Sequence, residues 1–255
     1  MKAGIAGRFG AGLAAVACMA GLLPGTAPAA EKRCVVVWSE GTAPKNVYPH
    51  DINGAIAEGL QQNLKDWEIV TASLGDPDQG LPDALLQRCD VLIWWGHKKH
   101  GEVKDALVDK IEKRVKEDGM GFIPLHSSHF SKPNKRLMGT PCTWGAYKAD
   151  STTIAFHVAA PAHPIAKGVP AEFTINSDER YSDPYAVPPA SAVVFDGVAT
   201  LKTGGSDPSK ECFCWTIGKG RVFYMQAGHE TNPVFMDPNI RKIVANAVQW
   251  AAPAK

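Results

Sequence analysis

The feature that most constrains the fold of this chain is an apolar segment that ends in histidines. Residues 120–125 read Met-Gly-Phe-Ile-Pro-Leu without polar alternation, which predicts a strand buried on both faces of a parallel sheet. His126, Ser127, Ser128 and His129 follow directly. In an open α/β sheet, ligands bind in the crevice at the carboxyl ends of the strands. Two imidazoles at such a strand end indicate a functional site, although two surface histidines in a strand-to-helix loop would give the same pattern.

Strands and helices alternate through the first half of the chain. Apolar strands are predicted at 33–38, 68–72, 89–95 and 120–125. Between them, apolar residues recur with helical spacing, as in the stripe Ile52, Ile56, Leu60 and Leu64. Asp51 is predicted as the N-cap of that helix. Alternation of this kind predicts an α/β fold with a parallel sheet between layers of helices.

The second half of the chain has shorter elements. Strands are predicted at 151–159, 173–176, 192–196, 211–217 and 221–226, followed by a helix that begins after Asp237-Pro238. The segment 178–185 is polar, aromatic and irregular, which predicts a loop. No linker is long enough to separate domains, so residues 31–255 are predicted to form one domain.

The first thirty residues differ from the rest in composition. Two basic residues precede an Ala/Gly/Leu/Val run that ends at Pro24. This pattern predicts that residues 1–30 are a secretory signal peptide cut near Ala29-Ala30, and that the mature chain is periplasmic or secreted. The alternative is a lipoprotein signal ending at Cys18, but Ala15 is smaller than the residue usual three positions before such a cysteine.

Charge and cysteine content narrow the range of partners. A net charge of +1 over 255 residues argues against nucleic acid as a partner and against membrane contact beyond export.

The cysteines indicate neither a redox motif nor a zinc ribbon, since Cys212 and Cys214 lack the two-residue gap of such sites. An odd number of cysteines in the mature chain leaves at least one thiol without an internal partner, and no disulfide is predicted. These cysteines are Cys34, Cys89, Cys142, Cys212 and Cys214.

Polar residues capable of metal binding or acid–base chemistry follow several predicted strands. They are Glu40, His97, His126, His129, His229 and Glu230, with Glu179 and Tyr181 in the segment 178–185. The carboxyl ends of parallel strands share one edge of the sheet, so these side chains are expected to converge. Three of the four histidines would suit a catalytic divalent metal. Metal-free acid–base catalysis and unconnected surface residues are the remaining interpretations.

Two alternatives concern individual residues of the same edge. Ser127 occupies a strand-to-helix turn, as a nucleophile elbow does, but lacks the glycines that usually flank such a serine. Trp94 and Trp95 point to opposite faces of their strand, so one of them could stack on a sugar ring while the other packs in the core.

Long blocks of the sequence resemble the ThuA (trehalose utilisation) family. The blocks are VVVWSEGTAPKNVYPHDINGAIAEGL, VLIWWGHKKHGEV, GMGFIPLHSSHFSKPNKRLMGT and GKGRVFYMQAGHETNPVFMDPNIRKIVANAVQWAAP. The likeness extends from about 33 to 253. It implies a flavodoxin-like, class I glutamine amidotransferase-like three-layer sandwich with a mainly parallel sheet. Glutamine hydrolysis is not implied, because Ser127 stands where a nucleophilic cysteine is expected and His229-Glu230 lacks the one-residue gap of the His-x-Glu pair.

The resemblance implies a role in sugar catabolism, in cleaving or isomerising 3-keto-glycosides related to trehalose. A ketone at C3 acidifies the proton at C2, so a base can remove that proton and the glycosidic oxygen can leave C1. The expected partners are a small sugar substrate and, functionally, a sugar oxidoreductase that makes 3-keto sugars; a homo-oligomer is left open. The alternatives are a carbohydrate-binding protein without catalysis and a serine hydrolase using Ser127.

Within this interpretation the site residues divide into ligands and proton carriers. The predicted ligands of a divalent metal, zinc or manganese, are His97, His129 and His229. The predicted acid–base or supporting residues are His126, Glu40, Glu179 and Glu230.

The sequence departs from the family pattern at a few positions. Ser39 stands where an acidic residue is expected, and Phe130 where a polar residue, often histidine, is expected. The predicted export is a further departure, since sugar-using members of the family are regarded as cytoplasmic.

Overall fold

The chain divides into two units, residues 1–31 and 32–255. The computed structural model describes residues 1–7, 10, 32–148 and 151–254. Residues 1–7 and 10 belong to no helix or strand, and the predicted cleavage position near Ala29-Ala30 lies outside the described residues. Within the described ranges, no helix has both the length and the apolar composition needed to cross a membrane.

The second unit is built from alternating strands and helices followed by a run of strands. The strands are β1 (Arg33–Ser39), β2 (Trp67–Ser73), β3 (Val91–Trp95), β4 (Gly121–Leu125), β5 (Trp144–Lys148), β6 (Ser151–Val158), β7 (Glu172–Asn176), β8 (Arg180–Tyr185), β9 (Ala192–Leu201), β10 (Ser206–Ile217) and β11 (Gly220–Met225). The helices are α1 (Asp51–Asn63), α2 (Asp83–Arg88), α3 (Asp105–Lys116), α4 (Lys132–Met138) and α5 (Pro238–Ala251). The alternation predicted for the first half is confirmed.

The main sheet has a parallel half and an antiparallel half. Its strand order is β2-β1-β3-β4-β11-β10-β9-β6-β7. The pairs from β2 to β11 are parallel, and those from β11 to β7 are antiparallel. Because β11 lies parallel to β4, its carboxyl end reaches the same edge as those of β1, β3 and β4. That edge is where the polar strand-end residues gather.

Helices cover both faces of the sheet, as the three-layer prediction requires. Alternate residues of β1 enter two different cores, with Val35 and Val37 on one side and Val36 and Trp38 on the other. The first core includes the apolar stripes of α1 and α5, and the second includes that of α3. Burial on both faces explains why these strands show no polar alternation.

The segment 178–185, predicted as a loop, is mostly strand. Residues 180–185 form β8, which pairs with β5 in a separate two-stranded sheet. Arg180 is fully buried, where its guanidinium contacts Glu211 and donates to Gln226 Oε1 at 3.0 Å. The strand was missed because its buried polar residues are satisfied by partners distant in the sequence, so they leave no local apolar pattern.

The predicted N-cap role of Asp51 is also wrong. Helix α1 begins at Asp51, but the cap position is His50 and no side chain caps the helix. The Asp51 carboxylate instead accepts hydrogen bonds from the Ser39 hydroxyl and, at 3.0 Å, from the backbone N–H of Ala43. Asp51 therefore stabilises the turn after β1.

Candidate active site

The polar residues that follow four strands of the main sheet lie close together. Glu40 follows β1, His97 follows β3 by one residue, His126 follows β4, and His229-Glu230 follow β11. The imidazole centroids of His97 and His229 are 5.1 Å apart, and those of His126 and His229 are 5.3 Å apart. These three rings, which lie far apart in the sequence, therefore form one cluster together with Glu179 and Glu230, and the space that these side chains face is called the pocket below.

Glu40 lies beneath the pocket and holds the loop that carries His97. Its side chain is buried, and Oε2 accepts backbone hydrogen bonds from His97, Lys98 and Lys99 at 2.9, 2.7 and 2.9 Å. A buried carboxylate that accepts three N–H groups is a strong, charge-assisted contact. These contacts indicate that Glu40 positions the loop, which is the supporting role among the two, acid–base or supporting, that the sequence leaves open for it.

His97 and Glu230 form a directed pair at the entrance. His97 Nδ1 lies 2.8 and 3.0 Å from the two carboxylate oxygens of Glu230. The Lys98 ammonium contacts Glu230 Oε1 at 2.8 Å. Burial tends to raise the pKa of Glu230, but the hydrogen bonds from His97 and Lys98 outweigh it and hold the pKa well below its usual range. Because an ionised carboxylate only accepts, Nδ1 donates, and neutral His97 bears its lone pair on Nε2.

His126 and Glu179 form a second pair, deeper in the pocket. His126 is fully buried; its Nδ1 donates to the Gln226 carbonyl at 2.8 Å, and its Nε2 lies 3.1 Å from Glu179 Oε2. Burial tends to lower the pKa of His126, but the Glu179 hydrogen bond and the charge of Asp178 reverse that effect and raise it. Burial likewise opposes ionisation of Glu179, yet contact with His126 lowers its pKa to about 2. This pair therefore shares a proton as imidazolium and carboxylate.

His229 lies between the two pairs. Its Nε2 is 3.6 Å from Glu230 Oε2 and 3.9 Å from Glu179 Oε2, while Nδ1 lies 2.8 Å from the Thr231 hydroxyl. Burial and the nearby charge of His126 lower the pKa of His229. His229 is thus a neutral imidazole within reach of both carboxylates.

The residues fall into two overlapping groups that could hold a metal ion. One group is His126, Glu179 and His229, and the other is His97, His229 and Glu230; within each, the candidate ligand atoms lie within 4.8 Å of one another. Ligand atoms about 2.0–2.2 Å from a tetrahedral ion lie roughly 3.3 Å from each other. The first group, with separations of 3.1 and 3.9 Å, fits that geometry. In the second, the Lys98 ammonium already occupies Glu230, which disfavours a cation there.

His129 belongs to neither group, although the sequence predicted it as a ligand. Its Nδ1 donates to the His126 carbonyl at 3.0 Å, and its Nε2 lies 3.4 Å from the Tyr147 hydroxyl. Burial lowers the pKa of His129 to about 3, so the ring is neutral. The turn after β4 directs the two histidines, three residues apart, to different partners. His126 therefore belongs to a candidate ligand group, which is the role that was predicted for His129.

Ser127 does not occupy the strained position of this turn. The residue with positive φ is His126, at +51°, whereas Ser127 follows it in the short helical turn His126–Phe130. The Ser127 hydroxyl lies 2.9 Å from the Tyr181 hydroxyl. A nucleophile elbow places its nucleophile at the strained residue, so this turn presents an imidazole there instead.

Residues for which sequence reasoning predicted no role as ligand or proton carrier hold the site together. Buried Asp178 accepts the backbone N–H groups of Gly228 and His229 at 2.6 and 3.0 Å. The Tyr181 hydroxyl lies 2.9 Å from both His126 Nε2 and Glu179 Oε2. Gln226 could have been found, since it is the first polar residue after an apolar strand. Asp178 could not, because its partners lie about fifty positions later in the chain.

Comparison with known proteins supports the family and the fold. A profile of the ThuA family, described as trehalose utilisation, matches residues 34–251. No relative among curated proteins matches the chain. The chain is similar to the crystal structure of a ThuA-like protein from Parabacteroides merdae, with a TM-score of 0.64 and 12% identity over 88% of this chain and 92% of that one.

Two further solved structures share the fold. A ThuA-like protein from Bacteroides uniformis has a TM-score of 0.59 and 18% identity, covering 89% of this chain and 94% of that one. A glutamine amidotransferase from Thermotoga maritima has a TM-score of 0.52 and 10% identity, covering 86% and 98%. At such identities the likeness establishes the class I glutamine amidotransferase-like fold alone. The family profile, however, spans most of the chain, and the protein therefore belongs to the ThuA family of trehalose utilisation.

Proposed function

We propose that this protein is a metal-dependent enzyme of sugar catabolism that cleaves or isomerises 3-keto-glycosides by acid–base chemistry. Its family supports a sugar-related role in general. The finer proposal rests on the arrangement of two groups of side chains around one pocket, one suited to bind a cation and one suited to transfer a proton. His126, Glu179 and His229 suit a divalent cation, and the His97–Glu230 pair beside them suits proton transfer.

The residues of the cation group fit zinc or manganese chemically. The Nδ1 of His126 donates to the Gln226 carbonyl, which leaves Nε2 for a ligand. Contacts of this kind orient metal-binding histidines and increase their basicity. The Nδ1 of His229 accepts the backbone N–H of Thr231 at 3.2 Å, so Nε2 of His229 would have to lose its proton, or the ring change tautomer, to bind the cation. A bound divalent cation would polarise the C3 ketone and its neighbouring hydroxyl. Because the cation must displace the proton shared by His126 and Glu179, its affinity is expected to rise with pH.

The His97–Glu230 pair is suited to move the proton. The lone pair of His97 is on Nε2, and the carboxylate behind Nδ1 stabilises the imidazolium that forms when Nε2 takes a proton from C2. C2 and C1 are adjacent atoms, so the same imidazolium can return the proton to the oxygen leaving C1. His97 is also the more exposed imidazole, with 30% of its side chain accessible to solvent, whereas His126 is fully buried.

Metal analysis of single variants tests this division of roles. The mature chain should bind about one zinc or manganese ion, and His126→Gln and His229→Gln should lose it. His97→Gln should keep the metal but lose turnover of a 3-keto disaccharide, followed by NMR. His129→Gln is the matched control and should keep the metal, because His129 lies outside both groups. Equal metal loss in His129→Gln, or full turnover in His97→Gln, would overturn the assignment. Sugar binding without turnover that survives chelation would favour a carbohydrate-binding protein instead.

Export remains part of the proposal. We infer from the composition of residues 1–30 that the precursor is exported and cut near Ala29-Ala30. Amino-terminal sequencing of the protein from a periplasmic or secreted fraction should begin near Glu31. Recovery of an uncut chain from the cytoplasm alone would contradict this part.

A further inference from the structure

One aromatic ring beside the pocket is open to solvent. Tyr147 in β5 is 44% exposed, and of the large hydrophobic residues exposed in the described ranges it is the one next to the site; the others are Met1, Ile5 and Met236. Trp94 and Trp95, of which one was considered as a stacking surface and the other as a core residue, are both completely buried. An aromatic surface available to a sugar must therefore come from a different part of the chain.

The Tyr147 ring is held in place from several sides. Its hydroxyl accepts a hydrogen bond from the backbone N–H of Trp144 at 3.1 Å. The same hydroxyl lies 3.4 Å from His129 Nε2, which bears a lone pair because Nδ1 donates to a carbonyl, so Tyr147 is the donor. A ring that is fixed before binding loses little conformational freedom when a ligand covers it. This contact also explains why a buried, neutral His129 stands so close to the site.

A second aromatic side chain extends the surface. Phe130 lies next to Tyr147, with ring centroids 5.8 Å apart and planes 28° apart. The Lys135 ammonium lies 4.9 Å from the centroid of the Phe130 ring. The pair formed by Tyr147 and Phe130 is called the aromatic shelf below.

The aromatic shelf is one side chain away from the reacting groups. The Tyr147 ring contacts the Tyr181 ring edge-on at a centroid distance of 5.1 Å. The Tyr181 hydroxyl in turn lies 2.9 Å from both His126 Nε2 and Glu179 Oε2. A sugar lying on the shelf would therefore be a neighbour of a sugar bound beside His126 and Glu179.

We propose that the aromatic shelf binds the second ring of a disaccharide, the ring that leaves when the glycosidic bond breaks. A pyranose presents a face of C–H groups, and a half-exposed aromatic ring gains free energy when such a face covers it. The assignment of the bound ring as the leaving one rests on the proposed function. Binding of a second ring at the shelf does not depend on the reaction.

Binding measurements with one-ring and two-ring sugars test the shelf. Titration calorimetry of the mature chain should give a Kd for trehalose about tenfold lower than for methyl α-glucoside, a factor in keeping with covering one aromatic ring. Tyr147→Ala should abolish that difference and Tyr147→Phe should retain it. Met236→Ala, at an exposed residue away from the pocket, should leave both affinities unchanged. Phe130→Leu, as a second variant, should reduce the difference if Tyr147→Ala fails to fold.

The outcomes separate the shelf from the proposed reaction. A wild-type protein that binds one-ring and two-ring sugars equally, or that binds neither, overturns the shelf. So does a Tyr147→Ala protein that folds normally and keeps the preference for trehalose. If the preference depends on Tyr147 but 3-keto disaccharides are not converted, the shelf stands and the proposed reaction fails.

Discussion

Replacing Glu40 by alanine is expected to destabilise the protein and displace the His97 loop. Glu40 Oε2 accepts three backbone N–H groups, those of residues 97–99, and its side chain is buried. Without the carboxylate these three donors lose their acceptor together. His97 itself then loses the backbone support that directs its ring toward Glu230.

The size of the effect can be worked out from these contacts. Hydrogen bonds to a charged group contribute about 1.5–3 kcal/mol each, so three of them set an upper limit of roughly 9 kcal/mol. Water can enter the space left by the side chain, and the desolvation of the carboxylate no longer opposes folding. We therefore expect Glu40→Ala to lower the free energy of unfolding by about 3 kcal/mol. Glu40→Gln keeps an oxygen for the same N–H groups and should cost about 1 kcal/mol.

Urea unfolding followed by tryptophan fluorescence measures the difference. For Glu40→Ala the midpoint should fall by about 1 M at an unchanged m-value. Glu102→Ala is the matched control, because Glu102 is exposed in the segment just after this loop, and its midpoint should match that of the wild type. Glu40→Gln should retain turnover, since a positioning residue need not carry a proton.

Two results would refute this reasoning. A loss of less than about 1 kcal/mol in Glu40→Ala would mean that the three hydrogen bonds do not stabilise the loop. Complete loss of turnover in a stable Glu40→Gln protein would favour the acid–base role, the other of the two roles that the sequence leaves open for Glu40.

Further predictions concern charge, the serine and the thiols. The pKa of Glu179 is lowered from 4.5 to about 2, so the ionised carboxylate stabilises the folded state. The free energy of unfolding of the wild type should therefore exceed that of Glu179→Gln above pH 4.5, and the difference should vanish as the pH falls toward 2. Urea midpoints measured in the presence of a chelator test this, and a difference independent of pH contradicts it. Ser127→Ala should keep most of its turnover and the wild type should resist fluorophosphonate labelling, because the Ser127 hydroxyl faces Tyr181; labelling would restore the serine hydrolase alternative. The mature protein should show no reaction with Ellman's reagent until it is denatured, since the described cysteines are buried and free, and rapid labelling of the native protein would contradict this. These are Cys34, Cys89, Cys142, Cys212 and Cys214.

Sequence reasoning located the edge of the sheet where the candidate site lies. Apolar strands that are followed closely by His97 and His126 can be recognised from the sequence. Burial on both faces excludes polar residues until the strand leaves the core, so the first polar residues mark its end. Parallel strands share their carboxyl edge whatever their order in the sheet. The convergence of residues from β1, β3 and β4 could therefore be expected before the strand order was known. That His229 and Glu230 join them depends on β11 lying parallel to β4, which only the structure shows.

The partner of each side chain could not be inferred in that way. His126 and His129 have the same chemistry and lie three residues apart, and only the positive φ of His126 sends one ring to Glu179 and the other to Tyr147. A glutamate at position 40 is equally compatible with proton transfer and with accepting backbone N–H groups, so the residue type does not distinguish the two roles. Such distinctions depend on distances of about 3 Å, which a strand pattern does not specify.

The antiparallel half of the sheet and the small β5–β8 sheet depended most on tertiary structure. Arg180, Glu211 and Gln226 are polar residues whose burial is tolerated because they satisfy one another across strands. No periodicity in the sequence indicates such pairing, so the segment of β8 was predicted to be a loop, and no role was predicted for Tyr181 within the site. The local apolar pattern thus determines which segments enter the core and at which edge they end. The long-range hydrogen bonds, formed only when those segments pack, determine which side chains meet.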